Sequence, residues 1–482
     1  MNERETKFFS EGFHYPLSKE YRRVYDELIL YSRALQESIV ETKDGKEFWV
    51  KACGCLFLNN YNVIIFPKGY RLSKIKLDDG INPADKTVAM SKMLFQCLHR
   101  YREEQYKKRG GVDGWKPAVL FQGEDEIQES PGMSNQLFIL YDYQENGYIR
   151  RRNTRISQRH AGRTLWQMTI HRTMPMINHR QVIYHCPYMQ SNIPVRTDLV
   201  QRIHMYVLSR IYKNIGWLLN HPLNIPTDVE EPCSQEYALY FLQQELHSTF
   251  IQREINLKKH IIQYLQHQMG IEKSKRHFDF LLTTNYQMIW EKMCGVALDN
   301  RFDALKRDLI CIPTLDPDSQ FQDIEQEHDE GNHSSKPWRG QRPDILCLRD
   351  NRLYIFDAKY YDYKVSLPGW GDLEKQFFYY YTIKERLANI SSATGIDWQS
   401  IANYRKVTPC YNALLLPWVD DKMDQNDTLV RRMGRIKLEW NPSVNFIDVY
   451  LLNEVKIQNA YLDENKRKKV REEFFTAINQ NL

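Results

Sequence analysis

Residues 342–361 read RPDILCLRDNRLYIFDAKYY. Two short runs rich in Leu, Ile, Phe and Tyr flank the polar quartet Arg349-Asp350-Asn351-Arg352, the pattern of two strands joined by a tight turn. Three charges interrupt the apolar runs. Asp344 heads the first, and Asp357 and Lys359 close the second, with only Ala358 between them. Side chains on a strand alternate between faces, so Asp357 and Lys359 share a face and Ala358 takes the other. If Asp344 faces the same side of the neighbouring strand, two carboxylates and an ammonium converge.

Carboxylates held that close repel unless a cation lies between them. An oxygen-only ligand set at such spacing suits Mg2+ or Mn2+ rather than zinc. A bound divalent ion acidifies a water and stabilises charge developing on a scissile phosphate. Lys359 would orient that water or offset phosphate charge. The chemistry indicated is metal-assisted phosphodiester hydrolysis, and Lys359→Ala is expected to abolish it while leaving folding near normal. The triplet D-x-K alone is a weak pattern. Its surroundings sharpen it: the Pro343-Asp344 pair at the head of a strand, the hairpin spacing, and an upstream helical segment carrying Glu291. Downstream, GDLEKQFFYYYTIK places Gln376 and Tyr380 on one helix face at i, i+4. Within the family resemblance set out below, Gln376 would hold the helix on the sheet or touch DNA. Tyr360 and Tyr361, at the strand end, read as packing or wall residues.

The rest of the chain supplies the frame. At 482 residues it is long enough for roughly three domains. A net charge of +5 is only mildly basic, so a charged partner must be sought in local patterns. One stands out: residues 147–185 hold eight Arg (150, 151, 152, 155, 159, 163, 172 and 180) and no Asp or Glu. Arg150, Arg151, Arg152, Arg155, Arg159 and Arg163 are candidates for phosphate contacts, with Trp166 and Tyr184 available for base stacking; a solvated Arg-rich loop is the plainer alternative. Nine Cys, only Cys53 and Cys55 close together, read as reduced thiols and not as a zinc site. No signal sequence and no run of ~18 apolar residues is seen, so a cytoplasmic protein without membrane contact is expected. Residues 316–337 hold seven acids and read as a surface loop. Helical periodicity runs through 21–35, 90–109 and 196–269, the last interrupted by a Pro-rich break at 220–234, and two strands joined at Asn59-Asn60 are expected within 48–70. The division that follows is an N-terminal α+β domain (1–115), an Arg-rich middle region with helices (116–230), and a helical lead-in with the catalytic domain (231–482).

The pattern of Pro343-Asp344, Asp357-Ala358-Lys359 and the Glu291 helix resembles the PD-(D/E)xK nuclease superfamily, and Gln376 and Tyr380 resemble its Q-x-x-x-Y element. A narrower resemblance, to LlaJI-type restriction endonucleases and McrC nuclease subunits, is carried by VIIFPKGY (63–70), GRTLWQMTI (162–170), YQMIWEKMC (286–294) and LPGWGDLEKQFFYY (367–380). The resemblance implies an αβββαβ nuclease core within an α+β or α/β chain and restriction of double-stranded DNA. It implies catalytic roles for Asp344, Asp357, Lys359, Glu291 and Gln376, with Mg2+ held by Asp344, Asp357 and Glu291. It also implies a separate McrB-like AAA+ GTPase as partner, consistent with the absence of G-x-x-x-x-G-K-[ST] from this chain. Cutting both strands suggests a homodimer. Two rival readings use the same residues: a DNA-binding or assembly component with an inactive core, and a nuclease of another substrate class, such as RNA, branched DNA or transposon ends.

Overall fold

The computed structural model describes residues 4–30, 39–41, 45–70, 83–108, 128–149, 152–158, 162–178, 181–194, 198–219, 223–274, 278–310, 341–366, 368–392, 407, 410–419, 428–439 and 446–480. Strands Ile345–Arg349 and Arg352–Ala358 pair antiparallel, with Ile345 opposite Phe356 and Arg349 opposite Arg352. Between them Asp350 and Asn351 take φ values of 51° and 59°. A two-residue turn whose twist matches its strands needs such left-handed backbone, which Asp and Asn tolerate better than most side chains.

This hairpin forms one edge of a five-stranded mixed sheet. Strand Cys410–Trp418 lies parallel to Arg352–Ala358, Phe446–Asn453 lies parallel to Cys410–Trp418, and Val430–Lys437 closes the far edge antiparallel. Helix Trp370–Ser392 makes the crossover between the first parallel pair. The two faces of Arg352–Ala358 are committed to different helices. Leu353 and Ile355 join a core with Leu305 and Leu309 of helix Phe302–Leu309 and with Ile383 and Leu387 of the crossover helix. Tyr354 and Phe356 meet Phe475 and Phe474 of helix Glu464–Gln480 at ring-centroid distances of 4.9 and 5.5 Å. Burial of side chains this size stabilises by about 1.5–3 kcal/mol each, so the strand is gripped from both sides and its end is a rigid platform.

The expected αβββαβ order is met in part. Between helix Tyr286–Leu298 and the crossover helix the described residues contain one further helix and two strands. Residues 311–340, which complete that interval and include the acidic stretch 316–337, lie outside the described residues.

The expected three-part division gives way to two compact units. One comprises Met1–Gly114, Leu120–Glu129 and Phe280–Leu482; the other comprises Trp115–Val119 and Ser130–Asp279. The boundary expected at 230 falls inside the second unit, where helix Gln252–Ser274 packs against both Gln235–His247 and Pro131–Asn146. The N-terminal region is not separate either. Its paired strands Cys53–Phe57 and Tyr61–Phe66 turn at Asn59-Asn60 as expected, and belong to a sheet completed by Glu5–Ser10, Asp279–Thr283 and Gln128–Glu129. Gly54 makes one of these contacts possible. It takes φ 138°, and a Cβ there would lie 2.1 Å from the Leu281 carbonyl oxygen, a separation that only glycine permits. Further ties bind this region to the C-terminal half: Tyr70 OH donates to Gln458 Oε1 at 2.6 Å, and Tyr360 OH donates to Glu11 Oε2 at 2.6 Å. Composition marks local pattern, whereas non-local pairing decides unit membership.

In the second unit, strands Arg152–Ser157, Met189–Pro194 and Arg163–Thr164 form an antiparallel sheet, and Met176–Asn178 and Gln181–Ile183 form a separate hairpin. Its helices are fastened by Arg253, which binds both oxygens of Asp142 at 2.9 and 2.8 Å. Among the described residues no helix is long and apolar enough to cross a membrane, and the described cysteines carry no disulfide.

Candidate active site

The hairpin register brings the acids together. Ile345 pairs with Phe356, so one further step sets Asp344 opposite Asp357, where antiparallel partners share a face. Asp344 Oδ2 accepts a hydrogen bond from the Ala358 amide at 2.9 Å. Asn300, just beyond helix Tyr286–Leu298, holds this corner by donating to the Asp344 carbonyl at 2.7 Å and accepting from the Leu346 amide at 3.0 Å. Asp357 follows Leu353 and Ile355 on their face and is only 6% exposed. There the apolar packing gives way to charge. Lys359 Nζ lies 2.9 Å from Asp357 Oδ2 and 3.4 Å from Asp372 Oδ1. The Lys359 amide donates to the Leu415 carbonyl at 3.0 Å, so its backbone is fixed too.

The electrostatics follow from that crowding. Burial, the charge of Asp357, a hydrogen bond with Asp357 and the more distant Glu291 hold the Asp344 carboxyl well above the usual carboxylate range, with Lys359 acting against them. Burial disfavours the Lys359 ammonium, but Asp357, Asp344 and Asp372 outweigh it and raise its pKa. The cluster holds more negative charge than one ammonium can offset.

Glu291 stands further back. Its helix buries Tyr286, Ile289, Trp290, Met293 and Cys294, the i, i+3, i+4 stripe that anchors it, with Trp290 Nε1 donating to the Leu415 carbonyl at 3.4 Å. That leaves Gln287 and Glu291 on the other side, where Gln287 Nε2 donates to Glu291 Oε1 at 2.9 Å. Burial raises the Glu291 pKa, with Gln287, Lys359 and Arg342 opposing it. A cleft of about 1020 Å3 contains both Glu291 and Asp344 in its lining, together with Lys292, Lys306, Arg342, Arg467, Arg471, Asp299 and Asp303.

Of the roles expected for Gln376, its surroundings match holding the helix on the sheet and not contact with DNA or substrate. It is fully buried, and its Nε2 donates to Asn412 Oδ1 at 2.7 Å and to the Ile355 carbonyl at 3.3 Å. It therefore locks the crossover helix to the sheet. Gln376→Ala is expected to lower stability by about 1–3 kcal/mol, because Asn412 loses its buried partner; urea unfolding at constant m-value measures this, and an unchanged midpoint would refute it.

Of the Arg run, Arg150, Arg151 and Arg159 lie outside the described residues. Arg152 and Arg155 lie on strand Arg152–Ser157, and Arg163 is exposed at the start of Arg163–Thr164. All belong to the second unit, whereas the carboxylates belong to the first. Trp166 is exposed and meets Tyr184 edge-on at 6.3 Å. Residues not singled out from the sequence also enter the cluster. Asp372 touches Lys359 and accepts a hydrogen bond from Tyr361 OH. The signal was present in GDLEKQ, where Asp372 precedes Gln376 by one helical turn.

A family model for the LlaJI restriction endonuclease matches residues 52–439, a span that holds every element of this cluster. The chain belongs to the LlaJI restriction endonuclease family. Among curated proteins it is similar to component YdjA of the type II restriction enzyme BsuMI of Bacillus subtilis (strain 168), 23% identical over 289 residues, or 57% of this chain and 59% of that protein. The match thus spans less than two thirds of that relative's length. Among solved structures it is similar to a chain of a Thermococcus gammatolerans assembly of McrB AAA+ hexamers with bound McrC, at 12% identity and TM-score 0.37 over 98% of this chain and 100% of that one. A second match, to the McrBC complex of the same organism, has 11% identity and TM-score 0.23 over 60% of this chain and 85% of that one.

Proposed function

We propose that this family member is the nuclease subunit of a restriction or anti-phage system that hydrolyses phosphodiester bonds of double-stranded DNA with Mg2+ and works with a separate AAA+ GTPase. The observation that carries this reading is the cluster of Asp344, Asp357 and Lys359 at the end of a PD-(D/E)xK-like hairpin, in a chain whose family is a restriction endonuclease family.

The donor set fits Mg2+. Two aspartates meet with one of them resisting ionisation, and the candidate ligands Asp344, Asp357 and Glu291 all present oxygen. Among the described residues no three acidic, His or Cys side chains converge to hold an ion by themselves. Mg2+ is commonly bound through one or two carboxylates and keeps several waters, so Asp344 and Asp357 would hold it, with Glu291 acting through water. When bound, such an ion supplies an activated water and charge stabilisation at the scissile phosphate. Lys359, carried on the same face, orients the attacking group and offsets phosphate charge. The five cations in the cleft lining sit beside the acids where a phosphate backbone would pass. The partner is supported by the resemblance to McrC subunits and by the absence of a phosphate-binding loop from this chain.

Purified chain is expected to cut plasmid and phage DNA with Mg2+ and its genomic-neighbour protein plus GTP, and to stop when EDTA removes the ion. Cutting with the ion but without the neighbour would indicate a self-sufficient nuclease. DNA binding without cutting under any condition would count against the reading.

A further inference from the structure

We propose that Asp372, supported by Tyr361, is the positioning residue that aims the Lys359 ammonium. The inference rests on the nuclease reading and deepens it. Asp357 has two claims on it: it faces Asp344, and it holds Lys359 Nζ at 2.9 Å. A ligand at the aspartate pair draws on the same oxygens, so Asp357 alone cannot keep the lysine in place. Asp372 comes from a different element and is free of the pair. It lies in the first turn of helix Trp370–Ser392, its amide donating to the Gly369 carbonyl at 3.1 Å. A carboxylate in the first turn of a helix is ordinary. Asp372 differs in that both its oxygens are engaged: Oδ1 lies 3.4 Å from Lys359 Nζ, and Oδ2 accepts from Tyr361 OH.

The chain's alternation makes this arrangement possible. Lys359 and Tyr361 are two residues apart and reach the same carboxylate, while Tyr360 between them donates to Glu11 in the opposite direction of packing. The flexible four-carbon lysine stem is thereby held at its tip by two carboxylates from two elements, with 13% of the side chain exposed. That leaves the ammonium accessible to a phosphate and restricted in where it can point.

Three variants test the proposal: Asp372→Asn, Asp372→Glu and Tyr361→Phe. Asp372→Asn is expected to lower the single-turnover cleavage rate about 10- to 100-fold, as a displaced catalytic group does, with DNA affinity in Ca2+ held within about twofold. Asp372→Glu recovers part of the rate, and Tyr361→Phe lowers it less than Asp372→Asn. A second measurement needs no activity: acylation of Lys359 by an N-hydroxysuccinimide ester in the metal-free chain, mapped by mass spectrometry, rises in Asp372→Asn. Unchanged rate and unchanged labelling in that variant would overturn the proposal. So would a loss of DNA affinity equal to the loss of rate, which would make Asp372 a binding residue. If the unsubstituted chain cuts no DNA, the nuclease reading fails, and the labelling experiment alone still decides whether Asp372 holds the lysine.

Discussion

Lys359→Ala is expected to lower the cleavage rate by about 10²–10³-fold and, in the absence of divalent ions, to destabilise the chain as well. The sequence alone leads to near-normal folding for this variant; the ion pairs lead elsewhere. Lys359 is the ammonium within 2.9 Å of Asp357 and 3.4 Å of Asp372, and its charge also acts on Asp344 and Glu291. Removing one partner of a buried pair leaves the other's charge uncompensated, which costs about 3–5 kcal/mol in full burial. This site keeps some solvent access, so about 1–3 kcal/mol is expected. Guanidinium unfolding in EDTA reads the stability, and single-turnover assays with Mg2+ and the partner protein read the rate. Added Mg2+ should restore part of the lost stability and none of the lost rate. Cleavage at the wild-type rate would remove Lys359 from the mechanism.

Asp344→Asn is expected to act in opposite directions on activity and stability. The fold raises the Asp344 pKa, so the folded chain keeps a proton that the unfolded chain releases above pH ~3.9. Stability contributed by this group is therefore greatest at acid pH and falls as pH rises through neutrality, where the unfolded state binds fewer protons than the folded one. Asparagine has no proton to lose, and its oxygen can still accept from the Ala358 amide. Without divalent ions the variant should match the wild type near pH 4 and exceed it by about 1 kcal/mol or more at pH 8, as strained functional sites commonly do when neutralised. Cleavage should fall by about 10³-fold, because a cation ligand becomes neutral. A variant less stable than wild type at pH 8, with the same pH slope, would contradict this account of the acids.

The hairpin that gathers Asp344, Asp357 and Lys359 could be read from the chain because its determinants are local. Period-two alternation sets the faces of Asp357 and Lys359, Asp350-Asn351 suits the turn, and counting back from that turn sets Asp344 opposite Asp357. The helix of Glu291 was readable for a similar reason, since Tyr286, Ile289, Trp290 and Met293 mark its buried stripe. Gln376 shows where such reading stops. Its spacing from Tyr380 identifies a helix face, but Asn412, the partner that consumes its amide, lies on a strand that no local pattern connects to it. The N-terminal region was separated from the C-terminal half for the same reason: the contact between Gly54 and Leu281, and the bond from Tyr360 to Glu11, join residues far apart in the chain. The Arg run, conspicuous in composition, lies in a unit distinct from that of the acids.

The way the second unit is attached has a consequence for how such a chain can diversify. Gln128 and Glu129 pair antiparallel with Leu282 and Leu281, so the chain departs for residues 130–279 and returns from them on neighbouring strands. That stretch is the larger part of the second unit, which also takes in Trp115–Val119, and it can be lengthened, shortened or exchanged by recombination without altering the spacing of Asp344, Asp357 and Lys359. The cluster of acids and lysine is then inherited as a fixed cassette, while the inserted portion is free to drift with whatever it must meet.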